Sequence, residues 1–164
     1  MRELLPLAAR IAALLKARKQ RVAVAESAAG GLISAALLAQ PGASAYFIAG
    51  SVVYTRQAIL ALRDTRESMF QDLRGATETW ALLLARTLRE RCGAEWGVGE
   101  SGAAGPTGNR YGDPPGHACI AVTGPLERTR VVETGSDDRV ANMFSFASAA
   151  LQLLAETLED KKHP

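Results

Sequence analysis

The sequence is poor in cysteine and aromatic residues, and it has no long uninterrupted apolar run. Its 164 residues include only Cys92 and Cys119, whose separation matches neither a metal-ligand spacing nor a framework of paired cysteines. This excludes a disulfide-stabilised scaffold and favours a reduced, cytoplasmic setting. The first apolar stretch, residues 2–15, is broken by two charged residues and a proline. We therefore expect neither a signal peptide nor a membrane span there.

An excess of charge of one sign is also missing. The net charge is +2, and the basic residues alternate with acidic ones, so we expect no membrane partner and no direct contact with nucleic acid. The one basic run, residues 16–21, follows a helix end, where it complements the helix dipole and needs no ligand. No low-complexity linker divides the chain. We expect a single domain over residues 1–164, with residues 159–164 as a frayed tail.

Hydrophobic periodicity predicts an alternation of helices and strands. We expect helices over residues 4–15, 31–38, 57–62, 78–92 and 140–158, and strands over residues 22–25, 46–54, 96–100, 117–122 and 128–134. The last two strands form a hairpin across residues 123–127, and residues 63–75 form a loop with a helical piece. This order predicts the α/β class, as a three-layer α/β/α sandwich with a mixed sheet.

The most informative segment joins the first predicted strand to the second helix. The strand ends at Glu26 and Ser27, and Gly30 and Gly31 open the helix. In open α/β folds, ligands bind at the carboxyl ends of the strands. Glycines there allow a close approach of an anion to free N–H groups at the helix start. The alternative is an ordinary strand–helix turn in which Ser27 caps the helix.

A second hydroxyl beside glycine follows the third predicted strand. Ser101 and Gly102 open a segment of sixteen residues, 101–116, without hydrophobic periodicity, which is typical of a functional loop. Since strand ends of one sheet can lie side by side, both hydroxyls could line one cleft. Backbone N–H groups along residues 102–105 could hold a phosphate or stabilise an oxyanion there.

In this order, these motifs resemble the CinA C-terminal domain family over about residues 4–158. The matching residues are Glu26-Ser27-x-x-Gly30-Gly31-Leu32-Ile33, Pro41-Gly42-x-Ser44, Tyr54 and Ser101-Gly102-x-Ala104-Gly105-Pro106. The resemblance implies an α/β/α sandwich, a homo-oligomer and the activity of a nicotinamide-nucleotide amidase. That reaction converts the carboxamide of nicotinamide mononucleotide to the acid and releases ammonia, with a small nucleotide as partner and without a metal or organic cofactor.

The resemblance also assigns roles to individual residues. The catalytic candidates are Ser27, Tyr54 and Ser101. The candidates for substrate or phosphate binding are Glu26, Gly30, Gly31, Gly102, Gly105, Arg110 and Arg139. Of the arginines, Arg110 is favoured because it lies inside the long loop. We interpret His117 as a residue at the edge of its strand, Asp113 as a turn former and both cysteines as small buried hydrophobes.

The chain departs from the family pattern at the position of a lysine. Ile59 stands where the family places this residue, which would accept the proton of the serine in a serine–lysine mechanism. Ala28 and Ala29 replace a cysteine and a threonine, and the family's second arginine falls near Asn142 or Met143. Glu26 could replace the base if burial raises its pKa; otherwise it would accept backbone N–H groups.

Three functions follow as hypotheses. The first is an amidohydrolase of the nicotinamide-nucleotide amidase type, or a divergent relative that acts on another amide. The second is a protein that binds nucleotides or phosphate in the same cleft without turnover. The third is an interaction module for competence or DNA-damage responses, as the name of the family indicates.

Overall fold

The computed structural model describes residues 1–61, 66–70 and 72–160, and within these ranges helices and strands alternate as the periodicity predicts. The strands are β1 (Val22–Glu26), β2 (Phe47–Val52), β3 (Trp96–Ala103), β4 (His117–Thr123) and β5 (Arg128–Glu133). The α-helices are α1 (Leu5–Arg18), α2 (Leu32–Leu38), α3 (Arg56–Leu60), α4 (Glu78–Cys92) and α5 (Arg139–Glu159). Short 3-10 turns cover Arg2–Leu4, Ala43–Ala45 and Glu67–Met69.

The strands form one mixed sheet in the order β2-β1-β3-β4-β5. Strand β1 runs parallel to β2 and β3, whereas β4 is antiparallel to β3 and β5. Helices α1, α2 and α5 pack together on one face of the sheet, and α4 covers the other. The predicted three-layer α/β/α sandwich with a mixed sheet is confirmed.

Each face of the sheet has its own apolar core. The larger core joins the sheet to α1, α2 and α5 and includes Val24, Val98 and Phe146. A smaller one, under α3 and α4, contains Ile59 and Trp80. Strand β1 is buried on both faces, which explains why its sequence is apolar without alternation.

Helix α4 lies unusually close to the middle of the sheet. A Cβ atom on Gly99 would lie 2.0 Å from the carbonyl oxygen of Ala81, and one on Gly97 would lie 2.4 Å from that of Ala85. Only glycine fits at such a distance. Thr77 caps the helix as predicted, because its hydroxyl accepts the N–H of Trp80. The close packing against Gly97 and Gly99 places the start of α4 next to the last residues of β3.

Several boundaries differ from the prediction. Strand β3 extends three residues further, so Ser101 lies within it, because β4 pairs with β3 as far as Ala103. Strand β2 is shorter than expected, and α3 begins at Arg56 and ends at Leu60. Of the predicted segments, residues 62–65, 71 and 161–164 lie outside the described ranges.

The first two residues of the expected tail at 159–164 are held by contacts. Glu159 belongs to α5 and forms an ion pair with Arg10, and Asp160 forms one with Arg128. Of the helices in the described ranges, none combines the length and the apolar character that crossing a bilayer requires.

Candidate active site

The register of β1 and β3 brings the two predicted hydroxyls together. Val24 is opposite Val98 and Ala25 is opposite Gly99, so a continuation of this register places Ser27 alongside Ser101. Neighbouring residues of parallel strands project to the same face. Both serines lie on the α4 side of the sheet, and both line one cleft, although each side chain is largely buried.

The cleft has a volume of about 490 Å³, which is in the range of small-molecule sites. Its walls come from the ends of β1 and β3, the segment after β2, the start of α4 and the long loop between β3 and β4. Its polar lining residues are Ser27, Tyr54, Thr55, Arg56, Gln57, Ser101, Asn109, Arg110 and Tyr111. Gly75, Ala76, Gly102, Val53 and Trp80 complete the lining.

Glu26 is a structural acceptor, which was one of the two alternatives. Its carboxylate accepts the N–H groups of Gly31, Ile33 and Ser34 at 2.9 to 3.1 Å, and the Ser34 hydroxyl at 2.6 Å. The carboxylate therefore fills the amino end of α2, on the face of the sheet opposite the cleft. This arrangement gives no support to the predicted roles of Glu26 as a base or as a substrate contact.

The expected anion cradle at Gly30 and Gly31 finds no support either. The Gly31 N–H is taken by Glu26, and the Gly30 N–H donates to the carbonyl of Ser27. Both glycines have a positive φ, and Met143 packs directly over Gly30. They permit a tight turn rather than a phosphate site. Ser27 does not cap α2 either, because the helix has no side-chain cap at its first residue.

Glu100 is a second buried carboxylate, which the sequence analysis missed. One oxygen, Oε2, accepts the N–H groups of Ser27 and Ala29 at 2.9 Å, and Oε1 has no hydrogen-bond partner among the described residues. Burial raises the pKa of Glu100 to about 7, against the lowering effect of these N–H bonds. Glu100 thus holds the backbone that presents Ser27 to the cleft.

A signal for Glu100 exists in the sequence. Val-x-Glu-Ser occurs twice, at residues 24–27 and 98–101, once in each of two strands. Because these strands are parallel and in register, the repeat places the two carboxylates on one face and the two hydroxyls on the other. The repeat therefore predicts that a buried glutamate precedes each serine, which would have identified Glu100 beside Ser101.

The Ser101 hydroxyl is oriented by a backbone group. Its Oγ accepts the N–H of Ala76 at 3.2 Å, and the carbonyl of Ala76 faces His117 Nε2 at 2.9 Å and accepts the Cys119 thiol at 3.4 Å. Since Ser101 is the acceptor from Ala76, its own proton is free to point into the cleft. Cys119 is buried as predicted, and burial raises its pKa to about 11.

His117 is more than a residue at a strand edge. It begins the buried strand β4, and its ring nitrogens face the Glu133 carboxylate and the Ala76 carbonyl. Burial opposes protonation, but the bonds to Glu133 and Ala76 outweigh it and raise the pKa of His117. Two acceptors require two N–H groups, so the geometry fits the imidazolium form.

Tyr54 and Arg139 meet at the edge of the cleft. Arg139 donates from Nη2 to the Tyr54 hydroxyl at 2.9 Å and from Nη1 to the carbonyl of Gly105 at 2.6 Å. Arg139 therefore ties the start of α5 to the segment after β2 and to the long loop. Gly105 does not line the cleft and is held against Asp137, so its predicted phosphate role finds no support.

The long loop contributes one cation and one phenol to the cleft, and Arg74, from the segment before α4, lies against the phenol ring. Arg110 donates from Nη2 to the Tyr111 hydroxyl at 2.8 Å, and its guanidinium lies 4.9 Å from the centroid of that ring. Arg74 approaches the ring from another side, at 5.7 Å, and forms an ion pair with Asp113. Asp113 also accepts the amide of Asn109, so it holds the loop together beyond forming a turn.

The Ser27 hydroxyl is not engaged by a described side chain, and the family's lysine position offers no amine. This hydroxyl has no hydrogen-bond partner among the described residues, and Ile59 is fully buried in the smaller core. Asn142, near the position of the family's second arginine, also has a structural role. Its side-chain amide donates to the carbonyls of Ala104 and Ser136. Within the described ranges, no group of three potential metal-ligating side chains comes together.

Comparisons with known proteins agree with this architecture. The model of the family described as CinA C-terminal domain matches residues 4–158. A CinA-like protein of Desulforapulum autotrophicum is 33% identical over 158 residues, and one of Acidobacterium capsulatum is 36% identical over 144 residues. These alignments cover 96% and 88% of the chain but only 37% and 35% of the two relatives. The chain thus spans little more than a third of the length of these curated relatives.

Solved structures show the same fold. A CinA superfamily protein from Klebsiella pneumoniae superposes with a TM-score of 0.87 at 27% identity, over 94% of this chain and 97% of that one. A competence/damage inducible protein from Agrobacterium tumefaciens gives a TM-score of 0.86 at 26% identity, over 96% of both chains. The chain therefore belongs to the CinA C-terminal domain family.

Proposed function

We propose that this chain is an amidohydrolase that converts the carboxamide of a nicotinamide nucleotide to the acid and ammonia. The observation that carries the proposal is the convergence of Ser27, Ser101 and Tyr54 in one cleft of small-molecule size. These three residues come from motifs that lie far apart along the chain. Since the relatives are named only as CinA-like proteins, the reaction and the substrate are our inference from the residues.

In this proposal Ser27 is the nucleophile. Its backbone N–H is held by Glu100, and no described residue engages its hydroxyl, so the oxygen is free to attack a carbonyl carbon. Ser101 donates a hydrogen bond to the carbonyl oxygen, where negative charge develops in the transition state. The N–H of Ala76 supports this role: it donates to the Ser101 oxygen, so the hydroxyl proton of Ser101 remains available to donate to the substrate.

The phosphate of the nucleotide would bind at the open side of the cleft. Arg110 lies on the exposed loop there, and its guanidinium has further N–H groups besides the one that Tyr111 accepts. Gly102 lines the cleft beside Ser101, so the substrate can approach its backbone. Arg139 is not assigned to the phosphate, since two of its nitrogens already donate to protein oxygens. It holds Tyr54 in place at the edge of the cleft.

Ammonia release from nicotinamide mononucleotide tests the proposal. The purified chain is expected to release ammonia, and Ser27→Ala is expected to abolish it. Ser148→Ala, on α5 away from the cleft, is the matched control and should keep the wild-type rate. If wild type and Ser27→Ala release ammonia equally slowly, the chain does not hydrolyse this amide.

A second candidate function is nucleotide binding without turnover. The buried Ile59, in the place of the family's lysine, favours it. It predicts that nucleotides raise the melting temperature of both wild type and Ser27→Ala without any product. At a nucleotide concentration of about a hundred times Kd, the expected stabilisation is about 2.7 kcal/mol. A panel of nucleotides that leaves the melting temperature unchanged would exclude this function.

A further inference from the structure

The cleft holds one acidic group that the roles above leave without a function. Tyr111 lies in its lining, and both its ring and Ser101 lie beside Gly75: a Cβ atom on Gly75 would lie 3.5 Å from Tyr111 Cε2 and 3.8 Å from Ser101 Oγ. Tyr111 and the two serines therefore line the same cleft. Tyr111 is also partly exposed, so a proton that it accepts can exchange with water.

The surroundings of Tyr111 stabilise a negative charge on its oxygen. Arg110 donates to that oxygen, and Arg74 and Arg110 both lie against the ring. Arg56, which also lines the cleft and pairs with Glu67, adds a smaller effect of the same sign, and Arg74 pairs with Asp113. The hydrogen bond from Arg110 lowers the pKa of Tyr111 below its ordinary value, against the smaller opposing effect of burial.

We propose that Tyr111 is the general base of the cleft, taking the place of the lysine that position 59 lacks. This assignment rests on the amide hydrolysis proposed above. The phenolate accepts the Ser27 proton, directly or through one water molecule, as Ser27 Oγ bonds to the carbonyl carbon. When the C–N bond breaks, the phenol returns this proton to the leaving nitrogen and ammonia departs. Water then attacks the acyl ester, Tyr111 accepts its proton, and that proton returns to Ser27.

The ionisation of Tyr111 is measurable without any substrate. The chain has three tyrosines, and burial raises the pKa of Tyr46, so it ionises late. The ultraviolet absorbance of tyrosinate should show a first step below the ordinary range of tyrosine. We expect Tyr111→Phe to remove this step, Tyr54→Phe to keep it and Arg110→Met to move it to higher pH. A first step that survives in Tyr111→Phe overturns the proposal.

The action of Tyr111 on the serine is tested with a fluorophosphonate, which phosphonylates activated serine hydroxyls. Peptide mass spectrometry should locate the label at Ser27, and the rate should rise with pH in parallel with the tyrosinate absorbance. Tyr111→Phe should slow labelling on the order of a hundredfold, the effect expected for loss of a general base. Melting curves check that this variant is folded, since phenylalanine preserves the ring against the two guanidinium groups.

The outcomes separate this assignment from the proposed function. Labelling of Tyr111→Phe at the wild-type rate, or no labelling of the wild type at any pH, overturns Tyr111 as the base. Normal labelling that depends on Tyr111, together with no ammonia from nicotinamide mononucleotide, overturns only the proposed substrate. If ammonia is released, Tyr111→Phe should lower kcat with little change in KM, whereas Arg110→Met should raise KM and shift the pH profile upward.

Discussion

At the scale of single residues, two buried side chains, Glu100 and His117, have pKa values raised above their ordinary values. They lie on opposite faces of the sheet. Glu100 holds the backbone of Ser27, and His117 holds the Ala76 peptide that contacts Ser101. Neither side chain belongs to the wall of the cleft. Each acts on a serine through a backbone group, so their protonation couples the stability of the protein to the geometry of the site.

Replacing Glu100 by glutamine should remove part of the pH dependence of stability. The pKa of Glu100 rises from 4.5 to about 7 on folding, so between these values the folded state holds more protons than the unfolded chain. The free energy of unfolding of the wild type should therefore fall as pH rises through this window, on the order of 3 kcal/mol in total. Urea unfolding below pH 4.5 and above pH 7 measures it.

The expected result for Glu100→Gln is a flatter profile through the same window. The glutamine oxygen can still accept the N–H groups of Ser27 and Ala29. Glu90→Gln, at an exposed surface position, is the control and should keep the wild-type slope. An unchanged slope in Glu100→Gln would show that another group causes the dependence.

The His117–Glu133 pair makes a separate prediction. A histidine whose pKa is raised on folding stabilises the protein below its unfolded value of about 6.5, and this contribution disappears as pH rises through the folded pKa. We expect Glu133→Gln to lower the pKa of His117, because the strongest group that favours the proton is then lost, and only the Ala76 carbonyl and the more distant charge of Asp113 remain. Proton NMR of the imidazole ring measures both values, and equal pKa values in the two proteins would contradict the pairing.

At the scale of elements, the cleft depends on how closely α4 packs against β3. Gly97 and Gly99 leave room for the backbone carbonyls of the helix, and the capped start of α4 places Ala76 next to Ser101. The long loop and α5 are tied to the same region, since Arg139 reaches both Gly105 and Tyr54. Segments that are distant in the sequence therefore meet at one site, and α5 supports two of its walls.

We expect Gly99→Ala to destabilise the protein strongly. The new methyl group would overlap the Ala81 carbonyl, and overpacking of this kind typically costs about 1–3 kcal/mol or more. Gly75→Ala is the matched control, because its methyl group would make only ordinary contacts at 3.5 and 3.8 Å. Denaturant unfolding compares the two, and equal stability of both variants would mean that α4 can move away from β3 without cost.

At the scale of the whole molecule, the two faces of the sheet have different tasks. The larger core under α1, α2 and α5 carries the two carboxylates that shape the Ser27 loop. The smaller core under α3 and α4 borders the cleft through Val53 and Trp80. Ile59 belongs to this smaller core, so the chain uses the family's lysine position for packing.

Ile59→Lys should therefore lower stability rather than restore a catalytic amine. Burying an ammonium group without a partner costs several kcal/mol. Ile59→Met, which preserves volume, should cost less than about 1.5 kcal/mol. Thermal unfolding of the two variants tests this, and the loss in Ile59→Lys should shrink at high pH, where the amine is neutral. A stable Ile59→Lys with raised ammonia release would show instead that the lysine reaches the cleft.

The order of elements, the sandwich class and the pair of hydroxyls at neighbouring strand ends were predictable from the sequence alone. These features depend on local hydrophobic periodicity and on turn residues, which are visible in a short window. The placement of Ser27 and Ser101 in one cleft follows from strand register, and the repeated Val-x-Glu-Ser already contains a hint of it.

Only the tertiary structure decided which groups occupy the hydrogen-bonding positions of the site. Glu26 takes the N–H groups that an anion would need, Glu100 supports the Ser27 loop, and Tyr111 reaches the cleft from a loop without periodicity. The physical reason is that burial, protonation and the competition for N–H groups depend on contacts between residues far apart in the sequence. Local patterns predict that such groups exist, but not which partner each one finds.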